Sequence, residues 1–165
     1  MRFRANDWLV HPQHGVGRVV NVETRQFGRG TEEEYYEIAI PTGTVWVPVV
    51  AHPTGLRKLT SKADLTKYRN VLRGRPMPLD ADPKQRRIDL AERSRESSFQ
   101  ARCEVVRDLT AHGWDKPLNE SSGNLLRNAR LVLCAEWAAA EGLSLADAAC
   151  EIEALLREGK EAYAK

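Results

Sequence analysis

Short, largely apolar runs are spread over the first third of the chain. β-Branched and aromatic residues dominate these runs, which is typical of β-strands. The runs occupy residues 8–10, 17–22, 35–40 and 43–49. Because turns that contain glycine separate them at short intervals, the pattern predicts a small, strongly bent antiparallel sheet or barrel rather than a βαβ fold.

The run at 43–49 contains a tryptophan at an alternating position. If the strand is regular, Val45 and Val47 share one face and Trp46 lies on the other. The valines suit a core, so the tryptophan is expected to face outward. In the alternative interpretation the register is reversed, and Trp46 belongs to the core.

After residue 55 the spacing of apolar residues becomes helical. Leu65, Tyr68 and Leu72 stand at positions i, i+3 and i+7, which predicts a helix within 61–73. A stretch rich in glycine and proline follows at 74–83. Since these residues interrupt helices, the stretch is interpreted as a linker or a domain boundary.

The remainder of the chain has helical periodicity almost to its end. Helices are predicted at 86–96, 99–112, 121–141 and 144–164. Four short helices need one another to bury their apolar stripes, so a compact bundle is expected. The predicted fold class is therefore α+β, with a β domain at 1–58 that the helix at 61–73 adjoins, and a helical domain at 84–165.

Composition and charge narrow the range of possible functions. Of the 165 residues, 42% are hydrophobic and 29% are charged, and no apolar run approaches the roughly 20 residues of a membrane span. The N-terminus lacks the apolar core of a signal peptide, so we expect a cytoplasmic protein that does not enter a membrane. Residues 57–107 carry 14 Lys/Arg against 7 Asp/Glu. This excess indicates either a phosphate-binding surface or a solvated basic helix face.

The sequence contains no set of residues that supports catalysis or metal binding. CxxC, HxxxH, HExxH, GxSxG and P-loop motifs are all absent. His11 and His14 lie close together, but a zinc site needs three or four ligands and this region adds only His52. A turn into the next strand is the better interpretation of the two histidines. We therefore expect a protein that is not an enzyme and has no catalytic residues, metal site or cofactor.

A series of short motifs follows in a fixed order along residues 7–49. They include Asp7, Val10, Pro12, His14, Gly15, Gly17, Tyr35, Tyr36 and the strand at 44–49. Their order and spacing resemble the RNA-polymerase-interacting domain of CarD/CdnL proteins, which also occurs in transcription-repair coupling factors. Downstream, residues 104–109 and 125–140 resemble the helical C-terminal domain of the same family. The resemblance covers nearly the whole chain.

The resemblance implies that the N-terminal domain is a Tudor-like bent sheet that binds the β subunit of RNA polymerase. An edge strand of the sheet would pair with the lobe of that subunit, with main-chain hydrogen bonds supplying affinity and alternate side chains supplying specificity. By position, Arg25 and Trp46 fall where family members contact the β subunit. The same strand supplies the other expected contact residues, which are Thr44, Val45 and Val47.

For the helical domain, the resemblance implies binding to upstream promoter DNA and stabilisation of the open complex. Many family members carry a wedge tryptophan just before an Arg-Arg pair, whereas this chain has Pro83 or Lys84 at that position. Without a wedge, DNA affinity would come from neutralised phosphates, largely without sequence preference. The residues expected to make these contacts are Lys84, Arg86, Arg87, Arg93 and Arg95. Trp114 replaces the wedge only if the fold brings it beside Arg86; otherwise it packs between helices.

Two functions remain in competition after this comparison. In the first, the chain is a monomeric, nucleoid-associated transcription regulator that binds the polymerase β subunit and promoter DNA and modulates open-complex stability. In the second, it is an adaptor that binds polymerase without productive DNA contact, because the wedge is missing. The lifetime of the open complex with and without the protein distinguishes them.

Overall fold

The computed structural model describes residues 2–164, and the chain divides into two units, Met1–Leu59 and Thr60–Lys165. The first, here called the β unit, contains strands and no helix among its described residues. The second, the helical unit, contains helices and no strand among its described residues. The predicted α+β class is thereby confirmed.

The β unit is an antiparallel sheet. Its strands are β1 (Trp8–His11), β2 (Gly15–Arg25), β3 (Glu33–Ile40), β4 (Gly43–Pro48) and β5 (Arg57–Lys58). They lie in the order β4-β3-β2-β1-β5, so β4 and β5 form the two edges of the sheet. The pairing of β2 with β3 shifts register between Val19 and Asn21, and such an irregularity increases the bend of a strand. The four strands expected from the sequence are present, whereas β5 was not predicted.

One face of this sheet forms an apolar core. Its buried residues are Phe3, Leu9, Val19, Tyr36, Ile38, Val47 and Leu56. The Tyr36 hydroxyl accepts a hydrogen bond from the backbone N–H of Phe3 at 3.1 Å, which fixes the segment before β1 to the sheet. At Gly17 a Cβ atom would lie 2.6 Å from Cγ2 of Ile38, so only glycine lets β2 approach β3 this closely.

The helical unit consists of α-helices, and all of them except the first are capped by a side chain at the N-terminus. They are α1 (Leu65–Leu72), α2 (Pro83–Arg95), α3 (Phe99–His112), α4 (Glu120–Glu141) and α5 (Leu145–Tyr163). Asp82, Ser98, Asn119 and Ser144 each accept a hydrogen bond from a backbone N–H in the first turn of α2, α3, α4 and α5. The Asp82 cap and Pro83 at the first position explain why α2 begins three residues before the predicted 86.

The division between the units differs from the predicted domain boundary. Helix α1 was expected to adjoin the β domain, but its Leu65 and Leu72 are buried in the same core as Trp137 of α4. The stretch 74–83, expected as a linker, therefore lies within the helical unit. It is also fixed there, because the backbone N–H of Met77 donates to the Asp108 carboxylate at 3.0 Å. Glycine and proline end helix α1 without ending the unit.

Candidate functional site

A patch of aromatic residues lies on the sheet face opposite the core of the β unit. Cross-strand register pairs Trp46 with Glu37, Tyr35 with Glu23, and Arg25 with Glu33, whereas Tyr36 pairs with Val47. Successive side chains alternate between faces, so the odd-numbered residues of β3, and those of β2 from Asn21 onward, share the face of Trp46. Val47 is buried, and Trp46 is only partly buried on the other side. The alternation predicted for β4 is therefore correct.

Four side chains make up this patch, which we call the aromatic patch: Arg25, Phe27, Tyr35 and Trp46. The guanidinium carbon of Arg25 lies 4.3 Å from the centre of the Trp46 ring, and Arg25 Nε donates to the Glu23 carboxylate at 2.6 Å. Phe27 meets Tyr35 edge to face at 4.8 Å between ring centres and lies 6.1 Å from Trp46. Although these contacts hold the rings in place, Phe27 remains 46% exposed.

The strand that carries Trp46 has one unpaired side within residues 2–164. The backbone N–H of Val49 donates to the Glu34 carbonyl at 3.0 Å, which identifies 34 and 49 as a hydrogen-bonded pair. Hydrogen-bonded pairs recur at every second residue, so Val47 and Val45 use their backbone groups inside the sheet. Thr44 and Trp46 consequently direct their N–H and C=O groups to the unpaired side. Pro48 is tolerated in the strand because its nitrogen also faces that side.

These observations separate the residues expected at a polymerase contact into two groups. Thr44 is exposed at the free edge, and Arg25 and Trp46 touch each other in the aromatic patch. Val45 and Val47 lie elsewhere: Val47 belongs to the core and Val45 packs against it, because both side chains point to the inner face. In the β unit their side chains support β4 from the core side.

Two members of the aromatic patch, Phe27 and Tyr35, were not predicted as site residues. Phe27 follows β2, directly before the glycine-containing turn at 28–30. The available signal was an apolar ring in an otherwise polar segment, at 26–32. Only the fold of the turn brings that ring back over β3, so the sequence alone did not assign it a role.

Helix α2 distributes its basic residues over two faces. At about 100° per residue, one arc of about 100° around the helix holds Arg87, Ala91, Lys84, Arg95 and Ile88, in that order. We call these five residues the outer face of α2. All five are exposed, and Ile88 is 43% exposed despite being apolar. No acidic residue of α2 falls within this arc, so the outer face is a continuous basic surface.

The remaining two basic residues of α2 are bound to the protein itself. Arg86 donates to the carbonyl oxygen of Asp80 at 3.0 Å. Arg93 donates to the Asp108 carboxylate at 2.8 Å, and Arg107 donates to the other oxygen of the same group at 2.8 Å. Asp108 is only 1% exposed. A buried carboxylate requires such partners, so the structure gives Arg93 an internal, stabilising position.

The two histidines near the N-terminus form a turn. His11 is buried, and its Nδ1 accepts hydrogen bonds from the backbone N–H groups of Gln13 at 3.0 Å and His14 at 3.2 Å. Burial of the imidazole, together with the nearby His14 ring, lowers the pKa of His11. The neutral ring therefore fixes the turn between β1 and β2. Within residues 2–164 no group of three or more His, Cys, Asp or Glu side chains is arranged to hold a metal ion.

Two models of protein families match the chain. The model described as CarD-like/TRCF RID domain matches residues 3–60, and the model described as CarD, C-terminal domain matches residues 67–153. The chain belongs to the CarD family. The resemblance seen in the sequence motifs is thereby confirmed, and with it a place among transcription factors.

A relative of this CarD-family chain has been described in Bacillus subtilis (strain 168). It is the candidate transcription factor YdeB, which is 27% identical over 145 residues that cover 86% of this chain and 94% of the relative. The match thus extends through both units. No helix described between residues 2 and 164 is both long and apolar enough to cross a membrane.

The CarD-family chain departs from the expected pattern at the start of α2. The wedge position holds Pro83 or Lys84, both exposed. Trp114, however, lines a groove of about 600 Å³ together with Arg86, and both residues belong to the helical unit. We call it the Trp114 groove. Both residues line this groove, and replacement of the wedge by Trp114 stays a prediction.

Proposed function

We propose that this CarD-family transcription factor binds the β subunit of RNA polymerase through the β unit and upstream promoter DNA through the helical unit. In doing so it would modulate the stability of the open complex. The observation that carries the proposal is the aromatic patch beside the free edge of β4. We further propose that the protein acts as a monomer in the cytoplasm, in association with the nucleoid.

The polymerase-binding half of the proposal combines two kinds of contact. The outward N–H and C=O groups of Thr44 and Trp46 can pair with a strand of the partner, as in β-augmentation. The aromatic patch lies on the adjoining face, and tryptophan, tyrosine and arginine are the side chains most often responsible for binding energy. Because Arg25 and Trp46 already touch each other, little side-chain freedom remains to be lost on binding.

Hydrogen exchange tests the edge pairing directly. When the full-length protein binds the isolated β lobe, we expect the amides of Thr44 and Trp46 to become protected from exchange. The amides of Val45 and Val47 serve as the internal control, since the sheet already protects them in the free protein. Unchanged exchange at Thr44 and Trp46 in the complex would contradict strand addition at this edge.

The DNA-binding half rests on the outer face of α2. Lys84, Arg87 and Arg95 are exposed and share one side of the helix, so they can approach the phosphates of one DNA segment together. Such contacts position a protein on DNA without reading its sequence. Of the five residues expected to contact DNA, Arg86 and Arg93 would contribute less, because each already binds an oxygen atom of the protein.

The salt dependence of duplex binding tests this half. Each phosphate contact contributes about 0.9 to the slope of log affinity against log salt, so the outer face predicts a slope of roughly −2 to −3. We expect the triple variant with Lys84, Arg87 and Arg95 changed to Gln to flatten this slope. A matched triple variant at exposed Arg127, Arg157 and Lys160 should leave it unchanged. A slope near zero in the wild-type protein would remove the phosphate-binding role.

A specific observation favours the adaptor as the second candidate function. Only three of the five expected basic residues point outward, and no tryptophan occupies the wedge position. An adaptor would bind polymerase and leave the lifetime of the open complex unchanged. We expect the wild-type protein to lengthen that lifetime, and the Lys84, Arg87 and Arg95 triple variant to lose this effect while still binding polymerase.

A further inference from the structure

We propose that the Trp114 groove holds one unpaired nucleotide of single-stranded DNA, with its base against the Trp114 indole and its phosphate near Arg75, Arg86 and Lys116. This inference rests on the proposed promoter-DNA function and adds to it a binding site for a melted strand. The wedge position at the start of α2 is Pro83 or Lys84, so the site proposed around Trp114 is a different one.

The shape and lining of the groove suit a flat ring. Its volume of about 600 Å³ falls within the range of small-molecule sites, roughly 300–1,000 Å³. Its apolar walls include Pro76, Pro78, Leu79 and Pro117. Trp114 is partly exposed, and none of the ring contacts found among residues 2–164 involves its indole. Trp114 therefore contributes part of its accessible surface to the groove.

The backbone holds Trp114 at a defined place. Helix α3 ends at Gly113, and the backbone N–H of Trp114 donates to the carbonyl oxygen of Ala111 at 3.1 Å, which continues the last turn. The backbone of Trp114 is thus held against the end of α3. A stacking platform must be fixed in this way if binding is not to cost additional conformational entropy.

The charges around the groove favour an anion. Arg75, Arg86 and Lys116 line it, whereas its acidic residues are Asp108 and Asp115. Asp108 is already bound by Arg93 and Arg107, so its charge is balanced within the protein. With Asp108 set aside, the three cations Arg75, Arg86 and Lys116 outnumber the acidic residue Asp115. A ligand that combines a planar ring with a negative charge matches both properties, and a nucleotide has this chemistry.

The concave shape selects an unpaired base over a duplex. A base inside a double helix is stacked on both faces and cannot enter a cavity unless it leaves the stack. Proteins that bind single strands combine aromatic platforms with a positively charged groove, as the Trp114 groove does. Arg86 belongs to α2 but lies on the opposite side of that helix from the outer face, so duplex and single-strand contacts would use different sides of α2.

The affinity of the full-length protein for a fluorescein-labelled oligothymidylate, measured by anisotropy, tests the proposal. Loss of one base stack typically costs about 1–3 kcal/mol, so Trp114→Ala should weaken single-strand binding roughly tenfold or more. Binding to a labelled duplex should change by less than about twofold, since phosphate contacts do not depend on stacking. Trp8→Ala, which removes a tryptophan 49% exposed on β1, is the matched control and should change neither affinity.

Two further variants keep the result interpretable if Trp114→Ala disturbs the fold. Trp114→Phe retains a stacking ring and should keep most of the single-strand affinity. Lys116→Gln changes an exposed side chain and should lower the salt slope of single-strand binding by about 0.7, the value for one phosphate contact. If Lys116→Gln leaves the slope unchanged and Trp114→Phe binds no better than Trp114→Ala, the groove does not bind a strand.

The remaining outcomes also decide the question. Equal loss of single-strand and duplex binding in Trp114→Ala would overturn the proposal, because Trp114 would then support the fold or the general phosphate surface. Displacement of the oligonucleotide by equimolar thymidine monophosphate would assign the groove to a free nucleotide instead of a strand. Other measurements would show that the proposed function itself is wrong. These are polymerase binding that persists in Trp46→Ala, or an open-complex lifetime that the wild-type protein leaves unchanged.

Discussion

The aromatic patch of the β unit and the outer face of α2 are both exposed, but they are built differently. In the patch, Arg25 stacks on Trp46 and is held by Glu23, and Phe27 packs against Tyr35. On α2, the side chains of Lys84, Arg87 and Arg95 extend into solvent. The first surface offers short-range contacts in a fixed geometry, whereas the second offers long-range charge. We therefore expect specificity from the patch and salt-sensitive attraction from the helix.

The two surfaces also differ in their support. The aromatic patch lies on a sheet whose other face is the core of the β unit. Helix α2 has a single buried residue, Leu90, and is tied to α3 by the ion pair between Arg93 and Asp108. The position of the basic surface therefore depends on few contacts. Changes to a core residue, an ion pair, the salt concentration or the pH should therefore affect the two surfaces differently.

The largest effect is expected at Trp137, in the core of the helical unit. This side chain is 0% exposed and packs against Phe99. Trp137→Ala should lower the free energy of unfolding of the helical unit by about 3–5 kcal/mol, the usual cost of a large cavity. Urea unfolding followed by helical circular dichroism measures this loss. Binding to the polymerase β lobe should persist, because the core under the aromatic patch consists of other residues; loss of that binding would show that the patch depends on the helical unit.

A smaller loss of stability is expected at Arg93. Arg93→Ala removes one of the partners of buried Asp108, and a hydrogen bond to a charged group contributes about 2 kcal/mol. Arg87→Ala is the matched control, since Arg87 is an exposed arginine of the same helix. The two variants should behave in opposite ways: Arg93→Ala lowers the urea midpoint, and Arg87→Ala lowers DNA affinity at low salt. If Arg87→Ala proved the more destabilising, the assignment of faces on α2 would be wrong.

The two surfaces should also respond differently to salt. Raising the salt concentration should weaken duplex binding by the helical unit, with a slope that falls by about 0.9 when Lys84 is changed to Gln. Binding of the β lobe should depend on salt far less, because stacking and main-chain hydrogen bonds are not screened as exposed charges are. Titrations of both partners over one salt series make the comparison. Equal slopes would contradict it.

The smallest effect concerns pH and the β unit alone. Because burial and the His14 ring lower the pKa of His11, the folded state binds a proton at this ring less readily than the unfolded chain does, where a histidine has its ordinary pKa of about 6.5. The contribution of His11 to stability is thus complete above about pH 6.5 and is lost as the pH falls towards the lowered pKa. His11→Asn, which keeps an acceptor for the turn, should flatten the acid side of the stability profile in thermal unfolding. An unchanged profile would show that another group titrates.

Local patterns in the sequence predicted much of the β unit and of the helix positions. The period-two alternation at 44–47 places Trp46 outward because a strand has no other way to bury both valines. Helix periodicity predicted a helix at 99–112, which are the bounds of α3 in the structure. The motifs of the β unit also pointed to the family that the comparisons confirm.

Features that depend on contacts between distant residues were not predicted. Strand β5 has two residues and exists because it pairs with β1. Helix α1 joins the helical unit through Leu65 and Leu72, whose partners lie far along the chain. Arg93 was interpreted as a DNA contact because nothing local reveals its pairing with Asp108. Phe27 joins the aromatic patch only because the turn after β2 brings its ring against Tyr35. In each case the deciding partner is a residue that sequence spacing alone does not bring into view.

The central claim is that the aromatic patch docks this CarD-family protein on the polymerase β subunit, and the affinity of Trp46→Ala for core polymerase tests it most directly. A central aromatic anchor typically contributes at least about 2 kcal/mol, so we predict a loss of roughly 30-fold or more. Trp8→Ala, at the other exposed tryptophan of the β unit, should bind as the wild type does. Wild-type affinity in Trp46→Ala, or an equal loss in both variants, would contradict the account.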